Sequence, residues 1–222
     1  MKSVSTENHQ DKLISDINRQ WKEKGDHILI AETIEALNKH YKLDKKIAKE
    51  PGVNQIMEQM FARLVHSFRK ISNIRNKKIL DIACGSNTSK APALVHFDAP
   101  FGEISIGEAR KEVTPLFEPW FCRILMELGA VPVGVDFGDL EKEAFTHYRV
   151  DLGVSGALDF LADHSFDGIQ DSRLFGSPEF TAQFPHLSDR LKVAQEIKRQ
   201  ETRLLKIDGI IIHSDAVKML KQ

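Results

Sequence analysis

Apolar positions along this chain follow two different periods. Up to about Asn76 they recur at helical steps. Leu13, Ile14, Ile17 and Trp21 form one short stripe, and Ile30, Ile34 and Leu37 form another. Pro51-Gly52 breaks the pattern where a helix should end. The strongest helical signal follows it: Val53, Ile56, Met57, Met60, Phe61, Leu64, Val65 and Phe68 recur every three or four residues and give one broad apolar face. Residues 1–76 therefore read as an N-terminal helical region, serving as a lid, a substrate element or a dimer element.

After Asn76 short apolar runs alternate with longer helical stretches. Strands are predicted at 78–83, 131–136, 148–151, 166–171 and 209–213. Helices are predicted at 120–128, closed by Gly129, and at 188–206. Strands apolar on both faces and separated by helices imply a parallel sheet covered on both sides. The expected fold is α/β: a Rossmann-like, doubly wound, mostly parallel sheet of about five or more strands over residues 77–222. An insertion spans 89–119.

Composition narrows the function classes. Charged residues make up 28% and hydrophobic residues 41%, enough apolar content to bury a core. A formal net charge of -1 offers no global attraction to a phosphate backbone and argues against nucleic acid as a partner. The basic stretch Arg69 to Lys78 reads more simply as a solvated helix end. No apolar run is long enough to span a bilayer, and the polar N-terminus lacks a secretion signal. Cys84 and Cys122 have no ligand-like spacing, so no metal is expected and a cytoplasmic location fits.

In such a sheet ligands bind beyond the carboxyl ends of the strands. The first strand ends Asp81-Ile82-Ala83-Cys84-Gly85-Ser86-Asn87. Ala83 and Gly85 let a ligand approach the backbone, and Asn87 tolerates a left-handed conformation. The second strand ends in Asp136, whose carboxylate can accept both hydroxyls of a ribose, with Phe137 beside it for a purine face. The third ends in Asp151, placed to accept from an adenine amine. Each acid alone is an ordinary turn residue, whereas three in register are far more specific.

These residues resemble the class I S-adenosylmethionine-dependent methyltransferases. Ile79-Leu80-Asp81-Ile82-Ala83-Cys84-Gly85-Ser86 looks like their first motif, and Val133-Gly134-Val135-Asp136 is similar to the second. His164 to Ile169 resembles the segment opening their fourth strand, and Leu204 to Ile212 the run into their fifth. The resemblance covers roughly 77–215. It implies S-adenosylmethionine as cofactor and S-adenosylhomocysteine as product. Asp81, Ala83 and Gly85 would lie at the methionine end, Asp136 at the ribose with Phe137 beside it toward the purine, Asp151 and Leu152 at the adenine, and Asp171 or Ser172 beside the sulfonium. A nicotinamide enzyme would want G-x-G-x-x-G after the first strand, and only Gly85 of those glycines is present.

The chain departs from the family at three places. Asn87 stands where a glycine is usual. The insertion 89–119 separates the first turn from its helix. The chain also stops soon after the fifth strand, before the family's final strand pair. An open sheet edge would then be covered by the N-terminal helices or by another copy, which makes a homo-oligomer one expectation. Within the insertion His96 and Asp98 are candidates for a general base and its orienting acid. A structural excursion is the plainer reading of that segment. His213 is a second candidate base or a core-edge histidine, and Arg173 is a carboxylate ligand or a structural ion pair. No Asn/Asp-Pro-Pro-aromatic cluster and no Pro-Cys nucleophile is present, which favours a small-molecule methyl acceptor. The competing readings are a non-catalytic scaffold that kept the fold, and an RNA or protein methyltransferase.

Overall fold

A computed structural model describes residues 25–87, 115–172, 174–175 and 177–221. The stripe Leu13–Trp21, most of the insertion with His96 and Asp98, and Arg173 lie outside the described residues. Three helices open the described chain: α1 (Asp26–Tyr41), α2 (Leu43–Lys49) and α3 (Gly52–Phe68). Lys42, in a left-handed conformation, separates α1 from α2 and closes α1 with its N–H on the Asn38 carbonyl. The inward face of α1 differs from the expected stripe. Thr33 is buried and Ile34 is partly exposed, because the face steps through Asp26, Ile30, Thr33 and Leu37. The Thr33 hydroxyl is satisfied by donating to the Leu29 carbonyl at 2.6 Å. The apolar face of α3 is buried from Val53 to Val65.

The sheet follows: β1 (Lys78–Ile82), β2 (Val131–Asp136), β3 (Thr146–Arg149), β4 (Phe166–Asp171) and β5 (Leu205–His213). Between them lie α4 (Trp120–Glu127), α5 (Pro178–Gln183) and α6 (Leu187–Leu204), and α7 (Asp215–Met219) comes last. Gly129, at φ 75°, turns the chain out of α4 as expected. All pairings are parallel, in the order β3-β2-β1-β4-β5. The chain thus winds outward from β1 in one direction and then returns to build the other half.

Two strands differ in their bounds. β3 begins two residues earlier than the apolar run suggests, since it is an edge strand with three of its four residues exposed. β5 begins at Leu205, where α6 ends, and its pairing with β4 is irregular.

Alternation along β1 shows how the layers are filled. Ile79 joins the core formed by α1, α2, α3 and α4, with Trp120, Phe61 and Leu64 fully buried. Leu80 and Ile82 face the opposite layer with Val133, Val135, Phe166, Ile169 and the inner side of α6. The N-terminal helices therefore share one core with the sheet. Each large side chain so buried contributes about 1.5–3 kcal/mol. Among the described residues no helix is long and apolar enough to cross a membrane.

Candidate functional site

The parallel order brings the ends of β1, β2 and β4 to one rim, with the direction of winding reversing between β1 and β4. At the end of β1 the left-handed positions are Ala83 (φ 63°) and Gly85 (φ 100°); Asn87 is not among them. Ala83 and Cys84 both donate their N–H to the Val135 carbonyl, at 2.9 and 3.1 Å, which folds the turn across β2. Gly85 is required twice over. Besides its positive φ, a Cβ there would meet the Phe117 carbonyl oxygen at 2.3 Å.

Asp136 sits opposite this turn. One carboxylate oxygen accepts from Gly85 N–H at 3.0 Å and the other from Gly138 N–H at 2.8 Å. The Phe137 carbonyl accepts from Arg149 Nε at 3.2 Å. Asp151 closes the turn after β3 by accepting from Gly153 N–H at 2.9 Å, and Leu152 is buried in the core beneath.

The loops after β1 and β2 are joined directly. The Ser86 hydroxyl donates to the Asp139 carbonyl at 2.7 Å. Asn87 donates from Nδ2 to the Glu141 carbonyl at 2.7 Å and to Glu143 Oε1 at 2.8 Å, and accepts from Glu141 N–H at 2.8 Å. Glu143 in turn receives Arg123 Nη2 at 2.6 Å, and Arg123 Nη1 reaches Glu118 at 2.5 Å. This guanidinium is buried and stacks over Tyr41 and Trp120, 4.2 and 4.6 Å from their ring centres. Asn87 therefore serves as a staple between loops, a role its place in the first motif does not suggest.

Beneath the rim Asp81 is buried, with Gln170 Nε2 at 3.4 Å and the Cys122 thiol at 3.7 Å. Burial raises its carboxyl to about 7, against the lowering pull of those two donors. Burial also raises Cys122, to about 11, and Cys84 well above the ordinary thiol value. Both thiols are free and remain protonated at neutral pH.

Asp171 is turned toward β5. It accepts backbone N–H groups from Asp215 and from Ala216 (3.0 Å), and the Ser214 hydroxyl at 3.3 Å, so it caps α7. The same Ser214 Oγ lies 3.1 Å from a carboxyl oxygen of buried Glu201, so its one proton is shared between the two acids. Burial first, then the charge of Asp171, raises Glu201 to about 8. Ser172 is buried beside Gln170 at 3.5 Å. His213 Nε2 lies 2.9 Å from Asp215 Oδ1.

The structure thus brings together Asp81, Ala83, Gly85, Asp136 and Phe137 around the β1 turn. Asp171 and Ser172 lie further along the same rim, and Asp151 and Leu152 at its far end. The chain matches no protein-family model and no curated protein. Among the described residues no group of three or more His, Cys, Asp or Glu side chains could hold a metal ion.

Sequence reasoning passed over three residues. Gln170 contacts Asp81, and its Oε1 is buried without a hydrogen-bond partner. Glu201 is a buried acid within a charged helix. Arg63 is a cation in the apolar run of α3 and lies in the field of Asp215, Asp81 and Asp171. Only Arg63 carried a signal, as a lone charge between Phe61 and Leu64.

Proposed function

We propose that this chain is a Rossmann-like S-adenosylmethionine-dependent methyltransferase acting on a small molecule, with S-adenosylhomocysteine as product. One observation carries the reading: the acid ending β2, Asp136, faces the glycine turn ending β1 at the carboxyl rim of a sheet ordered β3-β2-β1-β4-β5. The residues fit an adenosyl group at this point. A carboxylate can accept from ribose hydroxyls as well as from backbone N–H groups, and Asp136 stands between the turns after β1 and β2, on the N–H groups of Gly85 and Gly138. Gly85 offers no room on its α4 side, where the Phe117 carbonyl fills the position of a Cβ. The ligand would therefore lie on the Asp136 side of the turn.

S-adenosylmethionine would supply an electrophilic methyl on a sulfonium. Asp136 would orient the ribose, Phe137 and Asp151 would border the base, and Asp81 would support the turn from below. His96 and Asp98 remain proposed as base and orienting acid for the acceptor.

Calorimetric titration with S-adenosylmethionine and S-adenosylhomocysteine tests this. Micromolar binding is expected for the native protein and at least tenfold weaker binding for Asp136→Ala. Undiminished binding in that variant would remove Asp136 from the site.

A second reading, a non-catalytic scaffold, is favoured by the stapled loops: Ser86 on Asp139, and Asn87 on Glu141 and Glu143, join the two turns that would have to admit a ligand. A folded native protein that binds neither ligand would establish that reading instead.

A further inference from the structure

Among the described residues β5 pairs with β4 alone, and no strand lies on its outer side. Its register breaks: Phe166 faces Leu205 but Gly168 faces Ile210, so residues 206–209 stand opposite Asp167 alone and project from the sheet edge. Gly209 permits the bend, since a Cβ there would lie 2.7 Å from the Leu205 side chain and 3.0 Å from the Lys206 carbonyl oxygen. Bulges and charges commonly blunt a sheet edge against pairing. This bulge carries two charges, Lys206 and Asp208, with an apolar side chain between them. The tip here is Ile207, 95% exposed. Ile207 itself lines a groove of about 310 Å³, together with Leu205, Ile211, Val217, Lys198 and Lys206. Ile211 is itself 41% exposed.

We propose that this edge is a two-fold interface with a second copy of the chain, in which the Ile207 side chains of the two protomers pack against each other at the mouths of their grooves. A two-fold contact must be self-complementary, and this edge is. Two segments crossing in opposite directions at Ile207 bring Lys206 opposite the partner's Asp208, and Asp208 opposite the partner's Lys206. Asp208 has no hydrogen bond or ion pair among the described residues, and Lys206 reaches only Asp167, at 3.0 Å. Both charges flank the exposed isoleucine and gain an opposite charge on association. An unrelated peptide strand could also add to the free edge of β5, but nothing in that mode requires the alternation Lys206-Ile207-Asp208. Such a dimer does not depend on methyltransferase activity.

Sedimentation velocity over a micromolar concentration series tests the interface on the full chain. The native protein is expected to dimerise, and Ile207→Asp to raise the dimer dissociation constant at least about 30-fold, the effect of losing a buried central anchor. Lys206→Asp and Asp208→Lys should each be monomeric alone, because each sets like charges against one another. Mixed in equal amounts, the two should form a heterodimer, since the charges then alternate correctly. Circular dichroism checks that each variant is folded, and Ile207→Ser serves where the acidic substitution disturbs the edge. A native protein that stays monomeric, a dimer indifferent to both Ile207 variants, or a mixture that stays monomeric would each overturn the proposal.

Discussion

Glu201→Gln should change how stability depends on pH, and the structure sets the size of the change. Glu201 is 2% exposed, has one carboxyl oxygen 3.1 Å from Ser214 Oγ, and leaves Oε1 without a partner among the described residues. Its charged form is opposed by burial and by Asp171, which lifts the carboxyl from 4.5 to about 8. A rise of that size corresponds to roughly 5 kcal/mol at most between the two protonation states. The sign follows from linkage: between pH 4.5 and 8 the folded protein holds a proton that the unfolded chain has lost, so raising the pH costs stability across that window. Glutamine has nothing to titrate and keeps a hydrogen-bonding group beside Ser214. Urea unfolding of both proteins, followed by far-ultraviolet circular dichroism from pH 5 to 8.5, measures the difference. Asp81 and Asp171 are also raised; Asp81 titrates in both proteins, while Asp171 is coupled to Glu201, so the difference between the two curves reports Glu201 together with its effect on Asp171. That difference should grow by about 3 kcal/mol in favour of the variant between pH 5 and 7.5. Parallel curves would refute the reasoning and place Glu201 in the fold as an ordinary ionised acid.

Other substitutions test the rim and its supports. Arg123→Ala leaves Glu143 and Glu118 buried beside no guanidinium and should cost about 3–5 kcal/mol in urea unfolding. Gly85→Ala forces a Cβ to within 2.3 Å of the Phe117 carbonyl oxygen at a φ of 100°; it should lower the thermal midpoint by several degrees or prevent accumulation of folded protein. Asn87→Ala removes three hydrogen bonds between the loops after β1 and β2 and should cost about 1–3 kcal/mol. It should also increase hydrogen exchange at the Glu141 amide, which donates to Asn87. Unchanged exchange there would show that other contacts hold the two loops together.

The strands legible in the sequence were those whose side chains have no alternative to burial. Ile79, Leu80 and Ile82 fill two cores from one short run, and a run apolar on both faces fits only a strand covered on both sides. β3 lies two residues ahead of its apolar run because an edge strand such as Thr146–Arg149 need not be apolar at all. Thr33 was missed for a related reason: a hydroxyl satisfied by its own helix can be buried as readily as an isoleucine. At the site the sequence carried the acids but not their partners. Asp136 faces Gly85 as strand order requires, since β1 and β2 are neighbours and both turns lie at the same rim. Asp171 follows a different logic. Its place at the end of β4 was readable, but the direction of its carboxylate depends on α7, whose N–H groups it accepts, and on Ser214, which also reaches Glu201. Local sequence fixes where a strand ends, and the element that packs against that end decides what the last side chain does. The same distinction separates Asn87 from the glycine it replaces. Its backbone does not take the left-handed form that the turn gives to Ala83 and Gly85, while its side chain joins two loops that lie more than fifty residues apart in sequence. The two turns at this rim thereby hold each other.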